Sequence, residues 1–231
     1  MKKIVIAAII IVVGLGAWKF FSRTSTSPEA ATTPGETSSD VETPKSPLTG
    51  SQTYAINSEK TVMRWEGKKP LIPNYTDRGT IAVKSGTVAM KDGAVTSGSF
   101  IIDMTSIAAV STGKNSGETM LSKHLKSAAF FDTEKFPTAE FVITGVANNP
   151  EDMMYQVAGN LTIKGITKPI TFPAKIYQAG DAIKAEARVT LDRTNWNVRY
   201  GSDKFFDNLG DKIIDNIFVV EFTLVAEPAK S

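Results

Sequence analysis

The 231-residue sequence predicts an all-β domain, an antiparallel meander carrying one short amphipathic helix. Three observations carry that prediction. From Tyr54 onward, apolar and polar residues alternate in run after run, the period of strands that bury one face. Turn signals separate the runs at Lys91-Asp92-Gly93, Asn148-Asn149-Pro150, Lys164-Gly165 and Ala179-Gly180-Asp181, and connections this short join antiparallel neighbours. Strongly helical spacing of apolar residues occurs in one place, Leu121, Leu125 and Ala128.

The chain opens with Lys2 and Lys3 before an unbroken apolar run from Ile4 to Trp18, followed by Lys19, Phe20 and Phe21. As a helix this segment rises about 27 Å, slightly less than a hydrocarbon core. A small-x-small cleavage signal is offered only by Gly14 and Gly16, inside the run itself. Residues 1–21 are therefore expected to be a signal anchor with its lysines in the cytoplasm, or a signal peptide if they are removed. Residues 22–51 are rich in Ser, Thr, Pro, Glu and Gly and carry almost no large apolar side chain. Such a segment cannot bury enough surface to offset chain entropy, so a disordered tether is expected. The folded domain is assigned to residues 52–231.

Within that domain, Val62 to Trp65, Thr80 to Met90 and Val95 to Met104 alternate imperfectly. Next comes LSKHLKSAAFFDTEKFPTAEF, Leu121 to Phe141, which joins the helix to a strand. Pro137 cannot continue a helix, and Phe130, Phe131 and Phe136 can pack the helix end onto the strands as a plug or lid. Later strands alternate cleanly. Tyr155, Val157, Gly159, Leu161 and Ile163 share a face, as do Ile170, Phe172, Ala174 and Ile176. So do Ile183, Ala185, Ala187, Val189 and Leu191, and finally Phe218, Val220, Phe222, Leu224 and Ala226. A second short helix is expected from Ser202 to Leu209, capped by Asp203 and stopped by Gly210. One wet and one apolar face per strand fits a sheet closed on itself as a barrel, and equally a sandwich.

The residues offer little catalytic chemistry. There is no Cys, which excludes disulfides, a thiolate nucleophile, Cys-ligated zinc and N-terminal lipidation at cysteine. His124 is the single imidazole and reads as an exposed or helix-capping residue. Asp203, Asp207, Asp211 and Asp215 recur every four residues, but Gly210 interrupts them and their spacing is not that of a calcium loop. Asp132 and Glu134 read as turn and cap residues. A net charge of +2 without a long basic run argues against nucleic acid. No catalytic residue, metal site or cofactor is expected. The positive signal is apolar: small Gly159, Ala174, Ala185 and Ala187 on inward faces beside Phe141, Phe172, Phe218 and Phe222 leave volume. In a barrel of about eight strands that interior is either packed or holds one slim ligand.

The pattern His124-Leu-x-Ser-x-x-Phe-Phe-Asp132 followed by Phe136-Pro-x-x-x-Phe141 resembles the YceI-like family of bacterial lipid-binding barrels. Trp65-Glu-Gly-Lys-Lys, Ile102-Asp-Met-Thr-Ser-Ile, Gly159-Asn-Leu-Thr-Ile-Lys-Gly-Ile-Thr-Lys-Pro and Leu191-Asp-Arg-Thr-Asn-Trp-Asn-Val-Arg-Tyr-Gly-Ser extend the likeness over Tyr54 to Glu227. The resemblance implies an extended antiparallel lipocalin-like β-barrel that encloses a polyisoprenoid or similar amphiphile in the bacterial periplasm. Trp65, Phe100, Ile102, Phe141, Ile143, Val157, Leu161, Phe172, Ala187 and Phe222, assigned by strand face, then become candidate tunnel-lining positions. The sequence departs from relatives that carry an early His-x-Gly-x; here the residues are Asp77-Arg78-Gly79-Thr80.

The expected function is non-catalytic binding, storage or transport of an isoprenoid-type lipid, polyprenyl or quinone-like, by a domain anchored to the inner membrane, or secreted to the periplasm after signal cleavage. The expected partners are that lipid and the membrane; self-association as a homodimer is left open. Two rivals stand beside this reading. One is a packed structural or interaction module without ligand; the other is an enzyme acting on such a lipid through His124 and a nearby carboxylate.

Overall fold

The computed structural model describes residues 50–149 and 154–229. The expected anchor (1–21) and nearly all of the expected tether (22–51) lie outside these residues. Nine strands run β1 (Ser51–Ile56), β2 (Val62–Lys68), β3 (Thr76–Lys91), β4 (Ala94–Ser111), β5 (Thr138–Asn149), β6 (Met154–Ile163), β7 (Ile166–Ala179), β8 (Ala182–Asp192) and β9 (Ile217–Pro228). One α-helix, α1 (Glu118–Lys126), lies between β4 and β5. Every pairing is antiparallel, and the ring closes because β9 reaches β3 through β1 and β2. These two short strands share one of eight ring positions. β1 fills the half beside Thr87–Lys91 of β3, and β2 the half beside Thr76–Thr80. The jog between them is stitched to β9: Asn57 N–H donates to Val225 O at 2.8 Å, and Thr61 Oγ1 accepts from Val225 N at 3.1 Å. Closure, rather than a sandwich, leaves fewer unpaired sheet edges.

Bulges explain why β3 and β4 alternate poorly in sequence. A register shift that inserts an extra residue in one strand moves that strand's following residues to the opposite face. On β3 the inward set is thus Ile81 and Val83, then Val88 and Met90. On β4 it passes from Phe100, Ile102 and Met104 to Ile107 and Ala109. The Ile102-to-Ile107 motif is the largest of these irregularities, held by its own side chains. Asp103 Oδ1 accepts from Thr105 N at 2.9 Å and from Thr105 Oγ1 at 2.6 Å, while Ser106 Oγ accepts from Ala82 N at 2.8 Å.

The barrel has two unlike ends. Tight hairpins close one: Asp92 and Gly93 (φ 50° and 80°) join β3 to β4, and Gly180 (φ 63°) opens the β7–β8 turn. The other end, the cap, receives the loop 69–75, the α1 segment, the Lys164-Gly165 turn and residues 193–216. On the cap-side half of β7, Ile166–Pro173 pairs with β6 only. Pro169 and Pro173 therefore leave no β8 carbonyl without its donor. A 3-10 turn, Arg193–Trp196, reaches this region, and buried Trp196 donates from Nε1 to Leu161 O at 3.0 Å.

Two local expectations change. α1 starts three residues before Leu121 and ends at Lys126, because Ser127 turns extended; Ala128 lies exposed beyond the helix instead of extending its buried stripe. Ser202 to Leu209 is not helical. Asn208 and Gly210 adopt left-handed φ values of 59° and 54°, and only Gly210–Lys212 forms a 3-10 turn. Asp203 accepts from Asn216 Nδ2 at 2.8 Å rather than capping a helix, and Gly210 begins a helical turn rather than ending one.

Candidate functional site

The inward faces do not fill the barrel. They enclose a cavity of about 240 Å³, where one water needs about 10–15 Å³ by the same kind of measure. Its wall is almost entirely aliphatic and aromatic, running from Val95, Ile176, Ile183 and Ala226 near the hairpins to Leu121, Leu125, Phe130 and Ile214 under the cap. The charged residues on the wall, Lys68, Asp77, Arg193 and Asp215, all belong to the cap end.

Nine of the ten positions chosen by strand face lie on this wall: Trp65 on β2, Phe100 and Ile102 on β4, Phe141 and Ile143 on β5, Val157 and Leu161 on β6, Phe172 on β7 and Phe222 on β9. A chain of rings crosses the strands. Phe100 and Phe141 centroids are 6.3 Å apart, Phe141 and Phe172 5.6 Å, and Phe172 and Phe222 6.0 Å. Ala187 is the exception. It pairs with Ala174 and Phe222 and is absent from the cavity wall. Small residues also divide by role. Ala174 and Ala185 border the cavity, whereas the space over Gly159 is taken by Phe141: a Cβ there would lie 2.3 Å from Phe141 Cζ and 2.6 Å from Val142 O.

Several wall residues escaped sequence reasoning. Ile81, Val83 and Val88 were obscured by the β3 bulges, and Met63 by the shortness of β2. Arg193 is the least expected, because a cation in a polar loop motif carries no signal of burial. It is 4% exposed and donates from Nε to Asp215 O at 2.9 Å, from Nη1 to Val198 O at 2.8 Å and from Nη2 to Ile214 O at 2.9 Å. Burial lowers its pKa, an effect that Asp192, Asp215 and Asp203 oppose. The guanidinium also lies 5.8 Å from the Phe130 ring centroid, tying the 193–216 segment to the segment after α1. Lys164 ties the β6–β7 turn to the same cap, donating to Phe130 O at 2.7 Å and Asn197 O at 3.4 Å; burial lowers its pKa against the opposing influence of Asp132.

His124 belongs to this aromatic joint rather than to the solvent. Half-buried, it meets Phe130 edge-on at 5.1 Å and Tyr200 at 4.5 Å, while its backbone carbonyl accepts from Ser127 N and Oγ. Asp132 sits at a left-handed turn (φ 50°) and its carbonyl accepts from Lys135 and Phe136. Asp203 and Asp215 serve the loop internally, the latter accepting from Ile217 N at 2.9 Å.

The sequence profile of the YceI-like domain matches residues 54–226. The chain belongs to the YceI-like family. It is 35% identical over 101 residues to Protein YceI of Escherichia coli O6:H1, covering 40% of this chain and 52% of that protein. With Protein YceI of Salmonella arizonae it shares 37% over 81 residues, 32% of this chain and 41% of the relative. These alignments span about half or less of the curated relatives' length. Among solved structures, Burkholderia cenocepacia BcnA superposes with a TM-score of 0.55 at 22% identity, covering 74% of this chain and 98% of that one. A polyisoprenoid binding domain from Saccharophagus degradans gives 0.53 at 16% identity over 77% and 99%. Both share this barrel fold.

Seen in this YceI-like barrel, the departure at Asp77 falls on the cavity wall. Asp77 Oδ1 accepts from Gly113 N at 3.0 Å, joining the start of β3 to the loop before α1. Beside it the Tyr75 pKa is raised, by burial first and then by the Asp77 charge.

Proposed function

We propose that this YceI-like barrel binds, stores or carries an isoprenoid-type amphiphilic lipid, polyprenyl or quinone-like, without transforming it. The observation that carries the reading is the long apolar cavity whose charged wall residues gather at one end. An apolar chain fills such a space because removing its surface from water contributes about 25 cal/mol per Å², less the cost of ordering the chain. The polar end of the lipid faces Lys68, Asp77, Arg193 and Asp215, and the tail runs toward the hairpins. Trp65, Phe100, Ile102, Phe141, Ile143, Val157, Leu161, Phe172 and Phe222 are the tail contacts in this reading, without Ala187. The polyisoprenoid-binding description of the Saccharophagus degradans domain supports this choice of cargo. The domain works in the bacterial periplasm, held at the inner membrane by residues 1–21 through the 22–51 tether.

Native mass spectrometry of the 51–231 domain, released from its native host under mild conditions and followed by solvent extraction, tests the proposal. A stoichiometric extra mass that extracts as an isoprenoid is the expected result. A clean protein mass, unchanged after incubation with quinones and polyprenyl phosphates, refutes it.

A further inference from the structure

Of the nine large hydrophobic residues exposed among the described residues, five, Leu71, Met120, Tyr200, Phe205 and Phe206, lie in the loops and helix of the cap end. Leu71 and Met120, 61% and 72% exposed, project from different segments, and Tyr200 and Phe206 from a third. These segments form one surface. The His124 ring meets Tyr200 at 4.5 Å, Asp215 N donates to Lys68 O at 2.9 Å, and Lys69 Nζ reaches Asp211 O at 3.5 Å.

We propose that this end of the barrel docks on the surface of a bilayer containing anionic phospholipid. The side chains stand out from separate loops and a helix, as inserted anchors do, rather than lining a groove shaped for a peptide. Cations stand among them. On the exposed side of α1, Met120 is followed one turn on by Lys123, while the acid of that helix, Glu118, is half-buried. Arg199 lies 4.6 Å over the Phe205 ring, an aromatic–cation pair suited to the headgroup layer. Asp207 and Asp211 are exposed on the same loop, so the attraction to anionic lipid comes chiefly from the α1 segment, through Lys114 and Lys123.

α1 also connects this face to the interior. Leu121 and Leu125 lie on the cavity wall while Met120 and Lys123 point outward. A single helix thus separates the docked bilayer from the cavity, and its displacement opens a path between them that avoids water. The docking surface rests on the chemistry of the exterior and does not depend on the cargo.

The absence of cysteine makes site-specific labelling clean. Met120→Cys, and separately Lys91→Cys at the hairpin end, are labelled with a fluorophore in the full-length chain and reconstituted with vesicles carrying a headgroup nitroxide quencher. In vesicles containing phosphatidylglycerol, the label at 120 is expected to be quenched at least about twofold more than the label at 91. Adding K114E and K123E brings it to the level seen with phosphatidylcholine alone. Equal quenching at both positions overturns the proposal, as does quenching at 120 that ignores lipid charge. A label at 120 protected only when the protein dimerises overturns it in favour of a second copy. Extracted lipid mass, read separately, reports on the carrier function and is not changed by any of these results.

Discussion

Filling the cavity from Ala185 separates a cargo space from a merely loose core. Ala185 lies on β8 between Ile176 and Leu224, with its methyl on the cavity wall. Ala185→Leu adds three carbons to a cavity of about 240 Å³. At about 0.8 kcal/mol per buried methylene, the ligand-free barrel gains at most about 2 kcal/mol. In a domain of this size that raises Tm by up to about 4–8 °C. A packed interior responds with the opposite sign, since inserting the same atoms costs about 1–3 kcal/mol. Differential scanning calorimetry of delipidated wild type and variant, paired with lipid extraction from both as isolated, reads the two effects together. The expected result is a higher apo Tm with less bound lipid. A lower apo Tm, or undiminished lipid in a barrel that has been stabilised, refutes the reasoning.

The remaining predictions concern what shapes the cavity and its cap. Trp196→Phe removes the donor to Leu161 O and should cost about 1–3 kcal/mol in urea denaturation, with strand content unchanged by circular dichroism. Gly159→Ala drives a methyl against Phe141 and the Val142 carbonyl; a loss of about 1–3 kcal/mol together with reduced lipid content is expected, and lipid loss without destabilisation would contradict the packing described. Asp192 has a pKa below its ordinary 3.8: burial pushes it up, but bonds from Lys204 and Thr194 outweigh this. Its contribution to stability is therefore present above 3.8 and lost as pH falls through the lower folded value. The urea midpoint of Lys204→Met should decline less steeply than that of wild type in this acid range. His124→Ala, which removes ring contacts to Phe130 and Tyr200, should lower Tm by a few degrees while leaving lipid content intact.

Alternation made most of the barrel readable before any coordinates. A strand's side-chain period is two whatever its partner, so β6 through β9 announced their faces, and of the ten chosen positions nine, on β2, β4, β5, β6, β7 and β9, lie on the cavity wall, while Ala187 on β8 does not. Two-residue turns with left-handed Asp92, Lys164 and glycines were legible for the same local reason. Bulges were not, because an extra residue is specified by hydrogen bonds from a neighbouring strand, as Ser106 to Ala82 shows. The cap was half-legible. Leu121 and Leu125 signalled an inward helix face, but the burial of Arg193 depends on carbonyls 5 to 22 residues away.

The sequence by itself determined the faces of the unbulged strands, the hairpins, the presence of the helix and the family motifs, since each is written in a pattern a few residues long. Only the tertiary structure decided whether small inward residues mean space. Gly159 and Ala185 look alike in a pattern of alternation. From the adjacent strand, Phe141 on β5 fills the first site, and nothing in the described chain fills the second, because packing is decided by the side chains of neighbouring strands and not by a residue's own strand.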